Sequence, residues 1–268
     1  MKESISKLIT QFSKGEFHNI EDEIAVETII SILVNGKSIS SILCSPVLEK
    51  ELAIGYLFTT GILESFEEIQ SIDVENYNID FRFKAQVNIE ARLTNSLFVN
   101  RIISSGCGAP EYWLQVKKGK GLSSIDSRLQ VQVHNIFKMI ADLNQNSKMF
   151  RQTGALHAAG LYDPEANQII VAEDIGRHNA VDKVIGYSIS HEIRLDDKIL
   201  VSTGRLTADI IFKSAKGKIP IVASMAAATD SGISTANITN TTLIGFVRGK
   251  RLNIYTNPFR ITNKSKDI

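Results

Sequence analysis

Only two cysteines occur among the 268 residues, Cys44 and Cys107. Two thiols cannot make a four-cysteine zinc site. A chain of this length also needs no disulfide staples, because about 70% of its unfolded surface can be buried on folding. Net charge is scarce as well: 30 Lys+Arg stand against 29 Asp+Glu, a formal +1. That balance supplies no global attraction to nucleic acid or to an anionic membrane. Aromatics make up 7% and form no interleaved stacking patches, a poor fit to single-stranded nucleic acid. Long apolar runs are missing. Ile24–Val34 is interrupted by Glu27 and Ser31, and no segment reaches the ~20 residues of a membrane helix. The opening stretch, Met1–Phe17, lacks the apolar core of a secretory signal. The expectation is a cytoplasmic protein with reduced thiols, no membrane segment and recognition by local charge.

What is present is ordinary globular material, 43% apolar and 22% charged. Residues 1–23 read as a loose polar lead-in. Ile24–Val34 is β-branched and ends in Asn35-Gly36, a strong hairpin signal, with Lys37–Leu43 as the returning strand. Val47–Leu63 has helical spacing around Gly55, and strand-like pieces follow near Ile69–Val74, Phe81–Ile89 and Leu97–Ile103. A glycine- and serine-rich stretch, Ser104–Ser127, carries Cys107, Lys117, Lys118 and Lys120; a loop this long is usually functional or mobile. Beyond it a helix, Val131–Leu143, precedes alternating elements. The strands are Ala155–Tyr162, Ile169–Glu173, Ile199–Ser202, Ile219–Ala223 and Leu243–Val247, and the helices are His178–Ser190, Leu206–Gly217 and Gly232–Asn240. This alternation predicts an α/β layer with a largely parallel sheet. The whole is α/β (α+β overall): a smaller β-rich mixed domain over 1–127, then the α/β domain over 128–268.

In the second half, twice, a strand ends, Gly-Arg follows and a helix begins: at Gly176-Arg177 and at Gly204-Arg205. Strand ends of open α/β sheets hold ligands, helix N-termini favour anions, and arginine suits phosphate. The competing reading is local ion pairing, of Arg177 with Asp174 or Asp182 and of Arg205 with Asp209. His157 and His178 read either as satisfied core or capping residues or as partners of a catalytic thiol. Cys44 follows the apolar Ile42-Leu43 and reads as packing. Cys107 sits between Gly106 and Gly108 in polar sequence, which suits a thiol that carries a group between two sites. Near the C-terminus, Gly245–Tyr255 reads as a hairpin with Arg248, Lys250 and Arg251 at its turn.

Residues Ala172 to Gly186, AEDIGRHNAVDKVIG, closely resemble the signature of the formate dehydrogenase accessory sulfurtransferases, the FdhD family. Further segments are similar in the same order. They are Glu51–Leu57 with Gly61-Ile62, Thr153-Gly154 with His157-Ala158-Ala159, Ser202 with Gly204-Arg205, and Gly245–Arg248 with Tyr255. The resemblance implies a sulfur carrier, often dimeric, whose α/β part is similar to the cytidine deaminases. Such a protein takes sulfur from a cysteine desulfurase as a persulfide. It passes the sulfur to the molybdenum cofactor, as bis-molybdopterin guanine dinucleotide, before that cofactor enters formate dehydrogenase. By the resemblance, Cys107 is the persulfide cysteine, and Phe246, Val247, Arg248, Gly249, Lys250 and Arg251 match the cofactor-binding stretch. Arg177, Arg205, His157 and His178 complete the expected cofactor site, and no metal is expected to be bound directly. One departure stands out: many members carry Cys-x-x-Cys where this chain has Ser104-Ser105-Gly106-Cys107. A zinc deaminase is disfavoured, since His157-Ala158-Ala159 lacks the glutamate of His-x-Glu and no cysteine pair follows. The alternative is a chaperone that binds the guanine dinucleotide cofactor without carrying sulfur.

Overall fold

The computed structural model describes residues 2–95, 101–103 and 123–263. Its first element corrects the expectation of a loose lead-in. Strands β1 (Ser4–Ser13) and β2 (Glu16–Ala25) form an antiparallel hairpin. The hairpin is a separate two-stranded sheet on which Leu8, Phe12 and Phe17 stay exposed. With no face fully buried, no strict apolar–polar alternation is imposed on its sequence. Side chains bridge its strands instead, as between Thr10 and Asn19 at 3.1 Å.

Ile24–Val34 is therefore two elements, since β2 ends at Ala25 and β3 (Thr28–Val34) starts a new sheet. Its neighbours are β4 (Lys37–Cys44), β5 (Ile69–Glu75), β6 (Asn78–Phe83) and β7 (Arg101–Ile103), in the order β5-β6-β3-β4-β7. Asn35 and Gly36, both at positive φ, make the expected turn between β3 and β4. The expected strand Phe81–Ile89 splits: β6 stops at Phe83, and Ile89 opens helix α2 (Ile89–Asn95). Between β4 and β5 lies helix α1 (Glu49–Thr59), inside the span its spacing predicts.

The second half opens with β8 (Val131–Gln132), α3 (Val133–Asn146) and α4 (Lys148–Thr153). Val131 and Gln132 pair with β15 (Ile261–Thr262), so the helix expected from Val131 starts two residues later. A six-stranded sheet follows: β9 (His157–Tyr162), β10 (Gln168–Asp174), β11 (Ile199–Ser202), β12 (Ile221–Ser224), β13 (Thr242–Arg248) and β14 (Arg251–Thr256). Their order is β10-β9-β11-β12-β13-β14. Helices α5 (Arg177–Ser190), α6 (Ala208–Lys216) and α7 (Asp230–Thr239) connect them. β11, β12 and β13 pair in parallel, while β9 and β14 run against their neighbours. Consequently β10, β11, β12 and β13 all end at one edge of the sheet, and β9 and β14 begin there. The fold is mixed α/β with several sheets.

Helix α1 of the first half meets α5 of the second at backbone distance. A Cβ on Gly55 would lie 1.9 Å from the Asp182 carbonyl oxygen, and one on Gly186 would lie 1.9 Å from that of Glu51. Beneath this crossing Asp182 pairs with Lys213 at 2.6 Å and accepts a hydrogen bond from Thr59 at 3.0 Å. Burial raises the Asp182 carboxyl above its usual value, against the pull of Lys213. At the far end of the chain Arg260, fully buried, donates to the carbonyls of Asn240 (2.7 Å), Ser127 (3.1 Å) and Ile125 (3.3 Å). No helix among the described residues is long and apolar enough to cross a membrane.

Candidate functional site

The edge where β10 to β13 end is built by one device used three times. At each strand end a side chain accepts the backbone N–H two residues on, turning the chain sharply. Asp174 takes the N–H of Gly176 at 2.8 Å, Ser202 that of Gly204 at 3.0 Å, and Ser224 that of Ala226 at 3.0 Å. The Ser224 hydroxyl also donates to the Gly204 carbonyl at 2.7 Å, tying the second turn to the third. Asp174 stands out from sequence as an ion-pair candidate and Ser202 within the family resemblance, but none of the three as a turn acceptor. Their signal is an Asp or Ser closing a β-branched run, with glycine or alanine two positions later.

Both Gly-Arg corners lie on this edge and touch. A Cβ on Gly204 would come within 2.9 Å of Arg177 Cβ and 3.1 Å of its Cδ, so the bare glycine is what lets the Arg177 stem lie across the second corner. Arg205 is exposed. Two of the aspartates expected to pair with these arginines hold lysines instead. Asp174 pairs with Lys183 at 2.7 Å, both side chains 0% exposed, and Asp182 pairs with Lys213. The Asp209 carboxylate lies 3.8 Å from His178 Nε2.

Asp174 does more than hold Lys183. Its second oxygen accepts the Ser45 N–H at 3.0 Å, its first accepts Asn179 Nδ2 at 2.9 Å, and that same nitrogen donates to the Leu43 carbonyl. Lys183 donates to the carbonyls of Ser45 and Glu173. The end of β4 in the first half is thereby fastened to the first Gly-Arg corner.

His157 and His178 also lie by the corners, and neither is N-cap of its helix or strand end. His157 Nδ1 is 3.4 Å from Thr203 Oγ1, itself the acceptor for the Ala158 N–H at 3.0 Å. Burial, then the charges of Arg177 and Arg205, lower the His157 pKa. Burial, then Arg177, Lys213 and His157, push His178 down to about 3. His178 is therefore neutral at pH 7 and offers hydrogen bonds rather than charge; its Nε2 is buried without a hydrogen-bond partner.

The β13–β14 hairpin extends the edge. Phe246 adopts φ 52° within a bulge, and its N–H bonds the Ala226 carbonyl at 3.0 Å, just beyond the third turn. Arg248 reaches back to the Met225 carbonyl at 3.4 Å, with its guanidinium 5.6 Å from the Phe246 ring centre. Gly249, Lys250 and Arg251 are exposed at the turn. Val247 departs from the expected site: it is 1% exposed and its side chain joins the core with Ile244, Ile221 and Val131. Strand alternation explains this, since Val247 points away from the face used by its neighbours. From β10 to β13 is four strand spacings, so the arginines spread along about 19 Å rather than around one point.

Cys107 lies outside the described residues, as does the rest of 104–122 with Lys117, Lys118 and Lys120. Cys44 is described, and it is fully buried on β4. Burial and the nearby Asp174 push its thiol up to about 12, so it carries almost no thiolate at neutral pH. In the native protein Cys44 should resist iodoacetamide at pH 8 and react only after denaturation. Rapid native modification of Cys44, located by peptide mass spectrometry, would contradict this.

The comparisons with known proteins agree with one another. The FdhD/NarQ family model matches residues 25–262. A protein of Bacillus pumilus (strain SAFR-032) named sulfur carrier protein FdhD is 35% identical over 264 residues, covering 98% of this chain and 100% of the relative. One of the same name from Bacillus subtilis (strain 168) is 30% identical, covering 94% and 95%. The crystal structure of a protein assigned as a formate dehydrogenase accessory protein, from Desulfotalea psychrophila, superposes with a TM-score of 0.79. It is 26% identical and covers 97% of this chain and 100% of its own.

Proposed function

The chain belongs to the FdhD/NarQ family, and from that premise we propose that it is a sulfur carrier serving formate dehydrogenase maturation. The Cys107 thiolate attacks the outer sulfur of a cysteine desulfurase persulfide. A new S–S bond forms, the old one breaks, and the desulfurase leaves as thiolate. The S–S bond on Cys107 then breaks, Cys107 leaves as thiolate, and the outer sulfur passes to the substrate, the molybdenum cofactor in its bis-molybdopterin guanine dinucleotide form, which supplies the two electrons that make it sulfide before the cofactor enters formate dehydrogenase. We place the protein in the cytoplasm, where both thiols stay reduced, and as a homodimer. The likeness of its α/β layer to the cytidine deaminases, and the division at residue 127, belong to the same proposal.

One observation supports this reading above the others: two arginine corners and a basic hairpin share one sheet edge. Arg177, Arg205, Arg248, Lys250 and Arg251 suit the phosphates of an extended dinucleotide. His157 and His178, held neutral, suit its uncharged polar groups. The inert Cys44 leaves Cys107 as the thiol available for transfer.

Incubating the purified chain with a cysteine desulfurase and cysteine should add one sulfur to the peptide that contains Cys107. In cells, Cys107→Ala should abolish formate dehydrogenase activity. Full activity of that variant would leave the non-carrying chaperone as the function.

A further inference from the structure

We infer that Asp209 reads the base of the nucleotide end and selects guanine, an inference that rests on the guanine dinucleotide reading above. Three aspartates lie near the corners, and two are closed off. Asp174 is bonded to Lys183, Ser45, Gly176 and Asn179, and Asp182 to Lys213 and Thr59. Asp209 differs. It sits in the first turn of α6, four residues after Arg205, with its side chain 15% exposed. Among the described residues no group donates a hydrogen bond to it, and His178 Nε2 lies 3.8 Å away.

A carboxylate in this position is out of place if the ligand is phosphate alone, because like charges repel. It becomes useful when the ligand also brings paired N–H donors. Guanine presents N1–H and the N2 amino group side by side, the fork that a carboxylate accepts bidentately. Adenine and cytosine present a ring-nitrogen acceptor on that edge, and xanthine replaces the amino group by a carbonyl; each sets an acceptor against the carboxylate. Two further groups without hydrogen-bond partners stand beside Asp209: the buried His178 Nε2, and the buried Oγ1 of Thr207, the residue capping α6. Partly buried, the carboxylate is held above its usual pKa by desolvation, while Lys213 and Arg177 oppose that shift. A site whose polar atoms are left unpaired by the wrong ligand discriminates strongly.

The test is equilibrium binding of GDP, XDP and ADP to the full chain and to Asp209→Asn. The wild type should prefer GDP. The amide offers one donor and one acceptor, which suits xanthine, so D209N should lose at least ~10-fold in GDP affinity and gain affinity for XDP. A gain for XDP cannot come from misfolding. Asp209→Ala should bind GDP and ADP alike. An unchanged GDP/XDP ratio in D209N, with GDP still bound, would overturn the role of Asp209 and leave the guanine cofactor reading standing. Failure of the wild type to bind GDP would overturn that reading and this inference together.

Discussion

Gly186→Ala is expected to leave little folded protein, and Gly55→Ala the same. The added Cβ in either variant meets a backbone carbonyl oxygen at 1.9 Å, with the Gly55 nitrogen a further 2.6 Å contact for residue 186. Side chains can rotate away from an intruding methyl group; backbone in the middle of a helix cannot. The two helices must separate, and Asp182, which lies on α5 beside this contact, then pulls away from Thr59 on α1 and shifts against Lys213 on α6. Overpacking where side chains can yield costs about 1–3 kcal/mol. Losing the Thr59 hydrogen bond to the buried Asp182 carboxylate can add about 1.5–3 kcal/mol. Together these reach the lower part of the ~5–15 kcal/mol stability of a typical domain. Urea denaturation followed by circular dichroism measures it, and a midpoint close to wild type in either variant would refute the close-contact account.

Asp174→Ala is the second large effect, and it should act on two levels. Removing the carboxylate leaves the Lys183 side chain, 0% exposed, without its anion, a loss on the order of 3–5 kcal/mol. It also frees the Gly176 N–H and Asn179 Nδ2, the groups that shape the first Gly-Arg corner. The guanine nucleotide binding proposed above should therefore fall even at temperatures where the variant remains folded. The double variant Asp174→Leu with Lys183→Met should recover much of the stability but not the binding, because an apolar pair cannot accept the corner's hydrogen bonds. Single variants each costing less than ~1 kcal/mol would show that the pair is not the fastening described.

The Gly-Arg corners were legible in the sequence because glycine followed by arginine after a β-branched run is a local pattern. The ends of β11 match expectation for the same reason: Ile199–Ser202 is a short apolar run closed by turn residues. What holds those corners was not legible. Lys183 reads as one lysine on an amphipathic helix, and nothing in the chain announces that its partner is the last residue of the preceding strand and that Ser45, far upstream, joins them. Asp182 and Lys213 likewise meet only through the packing of α5 against α6. The β1–β2 hairpin escaped notice because neither face is sealed into a core. Val247 enters the expected site only because the resemblance covers the whole stretch Phe246–Arg251, while the pleat turns its side chain inward.

The buried Arg260 gives the molecule an order in time. A polypeptide is made from its N-terminus, so the carbonyls of Ile125 and Ser127 leave the ribosome more than a hundred residues ahead of the guanidinium that bonds them. Strand β14, which completes the basic hairpin, also follows late. Before residue 260 emerges, Ile125 can already meet the end of α7 through its N–H on the Thr239 carbonyl and Asn240 Nδ2 on its own carbonyl, both at 2.9 Å, and Arg260 adds the last bonds to that contact. The arginine-bearing edge therefore reaches its finished form late in synthesis. A nascent chain therefore carries both of its thiols before its arginine-bearing edge is complete.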